Sequence, residues 1–416
     1  MKGGGEMFAD IVVVGGGASG MAAAIGAKEA APGAEVVIAE RLDRVGKKIL
    51  ATGNGRCNLG NLDVSPAHYH GSFRKMSSII SEHPAGDIFR SLGVLCAADE
   101  QGRMYPRSNA AATVLSALRM KLAEVGVKEI CGFELCTYLR KGDKYELSSD
   151  DGQKISCRKL IIAAGGYAAP QYGTDGSIVR LLREKGYKIE KICPAVAPLR
   201  VTPESVKGLK GVRVKGIVQA YSGDKLLSAE EGEIQFTENS LSGICVFNMA
   251  RYFQEYEGSL EIRLDLAPDM TYDELKEYVL EQRTKRAGYE LNDLLTGAFA
   301  KNLAVYLVKN TIGRPMTDRI ETITDKEAEK LCRSIKELRF AVTGSSPWKN
   351  AQVTAGGVHK SCVGDDLSSL LEKGVYLCGE ILDMDGDCGG FNLQWAWASG
   401  FTAGRNCGAS LKGADR

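Results

Sequence analysis

Two glycine clusters near opposite ends of the 416-residue chain have the spacing to hold a phosphorylated ligand. The first is Gly15-Gly16-Gly17-Ala18-Ser19-Gly20, a G-x-G-x-x-G run. In such a run Gly15 permits the tight turn, Gly17 lets backbone approach a pyrophosphate, and Gly20 allows a helix to pack closely on a strand. Ala18 and Ser19 lie where the helix would open, and a helix N-terminus favours an anion. Glu40 follows Gly20 at the spacing, about twenty residues, where a dinucleotide fold places the acid that bonds a ribose hydroxyl. The second cluster is Asp387-Cys388-Gly389-Gly390-Phe391-Asn392-Leu393, preceded by Gly379-Glu380 and Asp383. A glycine pair opening an apolar helix makes a second anion-friendly terminus. Reduction of a flavin places negative charge near N1 and the C2 carbonyl, which such a terminus stabilises. NAD rarely needs both chain ends, whereas the longer FAD commonly uses them.

These residues need particular elements to position them. Ile11-Val12-Val13-Val14 is a β-branched run suited to a buried parallel strand, and Met21–Ala27 is compatible with a helix. Pro32-Gly33 marks a turn, after which Val36-Val37-Ile38 reads as a second strand ending at Glu40. Lys159–Ile162 reads as a strand running into Ala163-Ala164-Gly165-Gly166, where small residues let backbone pass close to a cofactor; Ala164 and Gly165 are the expected contacts. Gly374–Cys378 reads as a further buried strand ending at Gly379 and Glu380, and Leu393–Phe401 as an apolar helix. The segment after Glu40 carries Arg41, Lys47, Lys48, Asn54, Gly55, Arg56, Cys57 and Asn58. It is expected to wrap a long ligand, with amides and cations toward phosphate and Asn side chains toward polar ring edges. Leu135 is placed among the residues lining the cofactor.

Together the blocks resemble the flavoprotein family that includes the BaiN bile-acid-type reductases and the aminoacetone-oxidase-like enzymes. The match is carried by Gly46–Asn61 (GKKILATGNGRCNLGN), Gly102–Ser108 (GRMYPRS), Ala351–Val358 (AQVTAGGV) and Gly379–Gly404, and extends over essentially the whole chain. The resemblance implies an α/β fold: a discontinuous Rossmann-like FAD-binding domain with an inserted β-barrel-like domain carrying a small helical insertion. It implies non-covalent FAD and a redox function, but no single substrate. The chain departs from the family's pattern at Thr237–Gly243, so no substrate-binding role is carried over to that loop.

The expected boundaries are residues 1–192 and 351–416 for the FAD-binding domain and 193–350 for the insertion. From Pro194 to Leu266 short alternating runs read as antiparallel strands. From Thr271 the spacing of Leu275, Val279, Leu291 and Leu295 turns helical, and Thr324-Asp325-Lys326-Glu327 opens another helix, giving a helical insertion over about 271–335.

Composition narrows the partners. Fifty-three basic residues against 52 acidic leave a net charge of +1, which argues against a nucleic-acid surface and a polybasic membrane patch. The hydrophobic fraction of 44% is ordinary for a soluble globular protein. The apolar stretch from Ile11 to Ala27 is too glycine-interrupted for a membrane span or a signal peptide. Twelve cysteines without a C-x-x-C pair point to reduced thiols in a soluble, cytoplasmic protein rather than to zinc or a dithiol. A dithiol role for Cys57 lacks a second cysteine in its loop, and Cys131 and Cys136 lie along an expected strand elsewhere. His68 and His70 read as part of a solvated loop, and His359 as a surface or supporting histidine. Arg103 and Tyr105 are the better catalytic candidates, a cation and a phenol able to anchor a carboxylate or carbonyl.

Three functions remain open: an NAD(P)H-dependent flavin reductase acting on an electron-poor C=C bond of a small molecule, a flavin oxidase of amines or amino acids using O2, and a non-catalytic FAD-binding redox sensor. With one G-x-G-x-x-G in context, a reductase would bind its nicotinamide transiently. The sequence leaves the oligomeric state open.

Overall fold

The β-branched run at the start of the chain forms the strand Met7–Val14, whose last residues are buried on both sides. Burial on both faces explains why the run is continuous rather than alternating. It lies at the centre of a seven-stranded sheet. Val36–Glu40 and then Lys128–Cys131 flank it in parallel on one side. Lys154–Ile162 runs parallel to it on the other side and pairs in turn with the parallel strand Val375–Leu377. An antiparallel extension, Lys144–Ser149 and Leu135–Lys141, completes the sheet. The helices Ala18–Ala30 and Phe391–Ala409 pack on each other and contribute to the main core through Met21, Ile25, Trp397 and Phe401.

In this computed structural model residues 7–74, 78–256 and 259–411 are described. The chain divides into two compact units, one of residues through Cys193 together with those from Gln352 onward, the other Pro194–Ala351. The second unit holds a closed six-stranded barrel, in the order Leu199–Val201, Ser240–Ser242, Lys225–Phe236, Arg213–Ser222, Glu261–Asp265 and Leu338–Ser345. Its core includes Val218, Ile234, Phe236, Ile262, Leu264 and Phe340. Helices Tyr272–Lys285, Lys301–Ile312 and Asp325–Lys336 accompany it. Two of them begin on capping boxes, Thr271 with Glu274 and Thr324 with Glu327, in which each side chain satisfies the other's backbone amide. The fold is thus a Rossmann-like α/β domain with an inserted barrel. No helix among the described residues is long and apolar enough to cross a membrane.

Two local expectations change. Cys131 and Cys136 are not on one strand: Cys131 ends Lys128–Cys131, and Cys136 lies in the next strand, Leu135–Lys141. The turn at Gly132 separates them, its left-handed φ of 77° suiting glycine. His68 and His70 are not in a solvated loop: His68 ends the short helical turn Pro66–His68, and His70 lies in the short strand Tyr69–His70 against Asp385–Gly386.

Candidate functional site

The first glycine turn is fixed by the backbone around it. Gly15 has φ +101°, and a Cβ there would lie 2.6 Å from the Ala163 carbonyl oxygen and 2.8 Å from Ala164 Cα. A Cβ on Gly20 would come within 1.8 Å of the Gly15 oxygen. Both positions therefore require glycine for the protein's own packing. Gly17 is different: nothing lies within 4 Å of an added Cβ, and its φ of −80° imposes no strain. It caps the helix Ala18–Ala30 without a side-chain bond, so the first-turn amides at Ala18, Ser19 and Gly20 precede any intrahelical acceptor. An open cradle in front of a helix N-terminus fits a phosphate group. Glu40, 9% exposed, is held at the end of its strand by two amides, Gly16 N–H to Oε2 at 2.7 Å and Leu42 N–H to Oε1 at 2.9 Å. Each carboxylate oxygen keeps lone-pair capacity for a hydroxyl.

The segment following Glu40 folds back on this turn, Gly46 N–H donating to the Gly16 carbonyl at 2.8 Å. Its cations, however, face carboxylates. Arg41 bonds Glu134 at 2.6 Å and Asp175 at 3.1 Å, Lys47 pairs with Asp43, and Lys48 pairs with Glu380 at 2.9 Å and donates to the Ala168 carbonyl. Arg56 lies over the Tyr105 ring, 4.7 Å from its centroid. Arg41, Lys47 and Lys48 are thus paired with carboxylates, whereas Arg56 is exposed. Asn54 and Gly55 are exposed at left-handed turns with φ 56° and 82°. Cys57 is fully buried with its thiol pushed up to about 11 by burial, so it is a thiol and not a reactive thiolate. Leu135 follows the turn in which Gly132 and Phe133 donate to the carbonyls of Leu42 and Glu40, and it packs partly buried against the core. Gly165, at φ 74°, and Ala164 continue the strand end that meets Gly15.

The C-terminal block reaches the same place through a seam of small residues. Cβ atoms on Gly400, Gly404 and Gly408 would come within 2.4, 2.1 and 2.6 Å of the carbonyl oxygens of Ser19, Ala23 and Ala27. The three glycines recur every four residues on one face of Phe391–Ala409, so the two helices lie backbone to backbone. A Cβ on Gly379 would sit 2.3 Å from Ser19 Oγ, so the two ends of the chain meet at the first helix. Glu380 holds Lys48 with one oxygen and accepts the Thr354 amide with the other at 3.0 Å. Asp383, 6% exposed, accepts the Ser72 amide at 2.8 Å.

At the opening of the last helix the glycines are enclosed. Gly390, at φ +103°, would put a Cβ 2.2 Å from the Gly60 carbonyl oxygen and 2.6 Å from Asn58 Oδ1. Gly389, at φ +147°, faces the Phe391 ring at 3.0 Å. Asn392 does not present its amide to a ligand: Oδ1 accepts from Gly386 N–H at 2.8 Å, and Nδ2 donates to the carbonyls of Gly386 at 2.7 Å and Asp387 at 3.3 Å. Leu393 packs partly buried against the core. Beside this terminus Asn58 Oδ1 is buried without a hydrogen-bond partner, an arrangement costly unless a ligand donates to it.

The structure also brings together residues that the sequence reading kept apart. Asp387 bridges two histidines, His70 Nε2 at 2.8 Å from Oδ1 and His68 Nδ1 at 3.0 Å from Oδ2. His68 Nε2 lies 2.9 Å from Asp63, and its ring stacks on Phe391 at 4.3 Å. Burial works against a charged His68, but the bonds to Asp387 and Asp63 outweigh it and raise the imidazolium above its ordinary range. Burial likewise opposes the Asp387 carboxylate, and the bonds from His70 and His68 outweigh it and hold the carboxyl low. The only signal in the sequence was the His-x-His spacing of His68 and His70.

Of the expected catalytic pair, Arg103 is engaged by Asp99, its Nε donating at 2.7 Å, and Tyr105 is covered by Arg56. His359 caps a short helical turn, accepting from Ser361 N–H at 3.1 Å.

A Rossmann-like sheet, an open phosphate cradle and a second helix terminus meeting at one glycine seam define the class: a flavoprotein oxidoreductase enzyme. Residues 9–406 match the family described as the HI0933-like protein Rossmann domain, and the chain belongs to that family. It is 36% identical over 403 residues to the 3-dehydro-bile acid delta(4,6)-reductase of Clostridium scindens, covering 95% of this chain and 98% of that protein. It is 25% identical to the ribosomal RNA dihydrouridine synthase of Haemophilus influenzae, over 95% of this chain and 98% of that protein. Among solved structures, the 3-ketosteroid delta1-dehydrogenase of Sterolibacterium denitrificans superposes with a TM-score of 0.52 at 14% identity, covering 97% of this chain and 100% of that one. That likeness is one of fold.

Proposed function

We propose that the protein is an FAD-dependent reductase that takes reducing equivalents from NAD(P)H and adds two hydrogens across an electron-poor C=C bond of a small organic molecule in the cytoplasm. The observation that carries the reading is the convergence of the two chain ends: Gly379 meets Ser19, and the seam of Gly400, Gly404 and Gly408 holds the last helix against the first. The open cradle at Gly17 and the partnerless Asn58 oxygen fit a dinucleotide with one end at each terminus. The Gly17 cradle and the first-turn amides would receive the pyrophosphate, Glu40 the ribose, and the Gly389–Phe391 opening the pyrimidine end of the ring. When bound, FAD would supply a two-electron carrier between nicotinamide and substrate.

The chemistry named for both curated relatives supports the acceptor class. A 3-dehydro compound with a delta(4) bond and the uracil ring of uridine share a C=C conjugated with a carbonyl. The chain's own part is to bind, orient and exclude water, and its buried, closely packed glycine seam suits a rigid cradle.

The test is anaerobic stopped-flow reduction. The FAD-loaded protein should bleach with NADPH or NADH and regain its colour faster with an enone than with O2. If neither nucleotide bleaches it, or an amine reduces it and only O2 restores it, the reductase reading is wrong.

A further inference from the structure

We propose that His70 is the proton donor of the reduction, with Asp387 and His68 as its positioning residues; this rests on the reductase reading above. Saturating a conjugated C=C needs a hydride at one carbon and a proton at the neighbouring one. The hydride comes from NAD(P)H by way of the flavin, and the proton has to come from an acid at the same face. His70 is built for that task. Its Nε2 is tied to Asp387 at 2.8 Å. Among the described residues no protein group bonds its Nδ1. Its side chain is 22% exposed, so solvent can restore a lost proton. A ring held at one nitrogen by a carboxylate, with the other free, is the arrangement that orients an imidazole for acid–base work.

The cluster also stands where the reacting end should be. His68 stacks on Phe391, the first residue of the last helix, and Asp387 lies two residues before the Gly389-Gly390 pair that opens it. The groups facing the two histidines are Asp387 and Asp63, with Asp385 opposite His70 in the strand pairing and the Tyr69 phenol beside them. Tyr69 is fully buried with no hydrogen-bond partner for its hydroxyl, and burial, with Asp63 and Asp387 nearby, raises its pKa; it is not the acid. His68 has both ring nitrogens on carboxylates, so it cannot reach a substrate. Its Nδ1 meets the second oxygen of Asp387 at 3.0 Å and fixes that carboxylate in place. In the step itself the Nδ1–H bond of His70 breaks and its electron pair stays on nitrogen. The pair released from the substrate's C=C forms the new C–H bond, and water returns a proton to Nδ1.

Three measurements test this. In His70→Gln the side-chain amide retains a donor for Asp387 but has no proton to give; FAD content and thermal stability should stay at wild type. Bleaching by NAD(P)H should also be unchanged, while enone-driven recovery of colour falls on the order of 10²–10⁴-fold, the usual worth of a positioned acid. In D2O the wild-type product should carry solvent deuterium on one face of the carbon next to the carbonyl, and the variant's product on both faces. The donating form is the imidazolium, which carries Nδ1–H; without substrate or cofactor, nitrogen-15 spectra taken at a pH that removes this proton should find the remaining one on Nε2, facing Asp387, and Asp387→Asn should mix the two tautomers. Enone recovery at the wild-type rate in His70→Gln, or a His70 tautomer indifferent to Asp387→Asn, overturns the assignment. A wild-type enzyme that no enone reoxidises overturns the reductase reading itself, and the assignment with it.

Discussion

The two glycine openings, Gly15–Gly20 and Gly389–Gly390, carry the same residue type for different reasons. At the first, Gly15 and Gly20 are crowded by backbone while Gly17 looks into open space. At the second, both glycines are filled from within, Gly390 by the Gly60 carbonyl and Gly389 by the Phe391 ring. The first opening leaves Gly17 uncovered, and the second is closed by the chain's own atoms. A glycine motif identifies a close approach, but only the surroundings tell whether the approaching atom belongs to a ligand or to the chain.

The largest effect expected breaks the second opening. Gly390→Val should cost about 2–6 kcal/mol, the sum of overpacking against Gly60 and strain in a left-handed conformation. It should lower the melting temperature of the cofactor-free protein and the FAD content together. Loss of FAD with an unchanged melting temperature would mean that the two openings are alike. Gly17→Val is the complementary change. The cofactor-free protein should lose no more than about 0.5–2 kcal/mol, the cost of a poor N-cap residue, because the added side chain meets nothing. FAD affinity should fall by about 1–3 kcal/mol because the side chain fills the cradle. Equilibrium dialysis checks it, and full retention of FAD would remove Gly17 from the site.

These two variants also mark what the sequence disclosed. The strand, turn and helix around Gly15–Gly20 were legible because they are local: β-branched residues, glycines and small helix formers lie in one stretch, and Glu40 follows at a fixed spacing. The last helix was legible as apolar with small residues, but its partner was not, since nothing in Gly400, Gly404 or Gly408 names Ser19, Ala23 and Ala27. The cations after Glu40 looked available for phosphate because their acids, Glu134 and Glu380, arrive from distant strands and turns. The His68–Asp387–His70 cluster escaped for the same reason, its members being 319 and 317 residues apart along the chain.

Asn392→Ala sharpens the second opening further. Its amide closes the Gly386–Asp387 loop, so the expected loss is about 1–3 kcal/mol of stability, two or three ordinary hydrogen bonds. The flavin midpoint potential should stay at the wild-type value. A shifted potential at unchanged stability would give Asn392 a role in tuning the cofactor.

The smallest effect is a pH dependence of stability. Asp387 is held low in the fold, so its contribution is present above the ordinary carboxylate range, about 3.9, and fades as pH falls through the lowered value. His68 is raised, so its contribution is complete below about 6.5 and fades as pH climbs through the raised value. The melting-temperature difference between wild type and Asp387→Asn should therefore be greatest from about pH 4 to 6.5. It should remain small because the side chains are 23% and 32% exposed and water screens them. A difference no larger within that range than below or above it would remove the cluster from the stability of the fold.

The seam between the first and last helices also orders events in time. A ribosome delivers Ala18–Ala30 long before Phe391–Ala409, and the first helix cannot bury its face of Ser19, Ala23 and Ala27 until that late partner emerges. A nascent polypeptide stalled before Gly400 would carry the entire first glycine motif without the helix that packs against it.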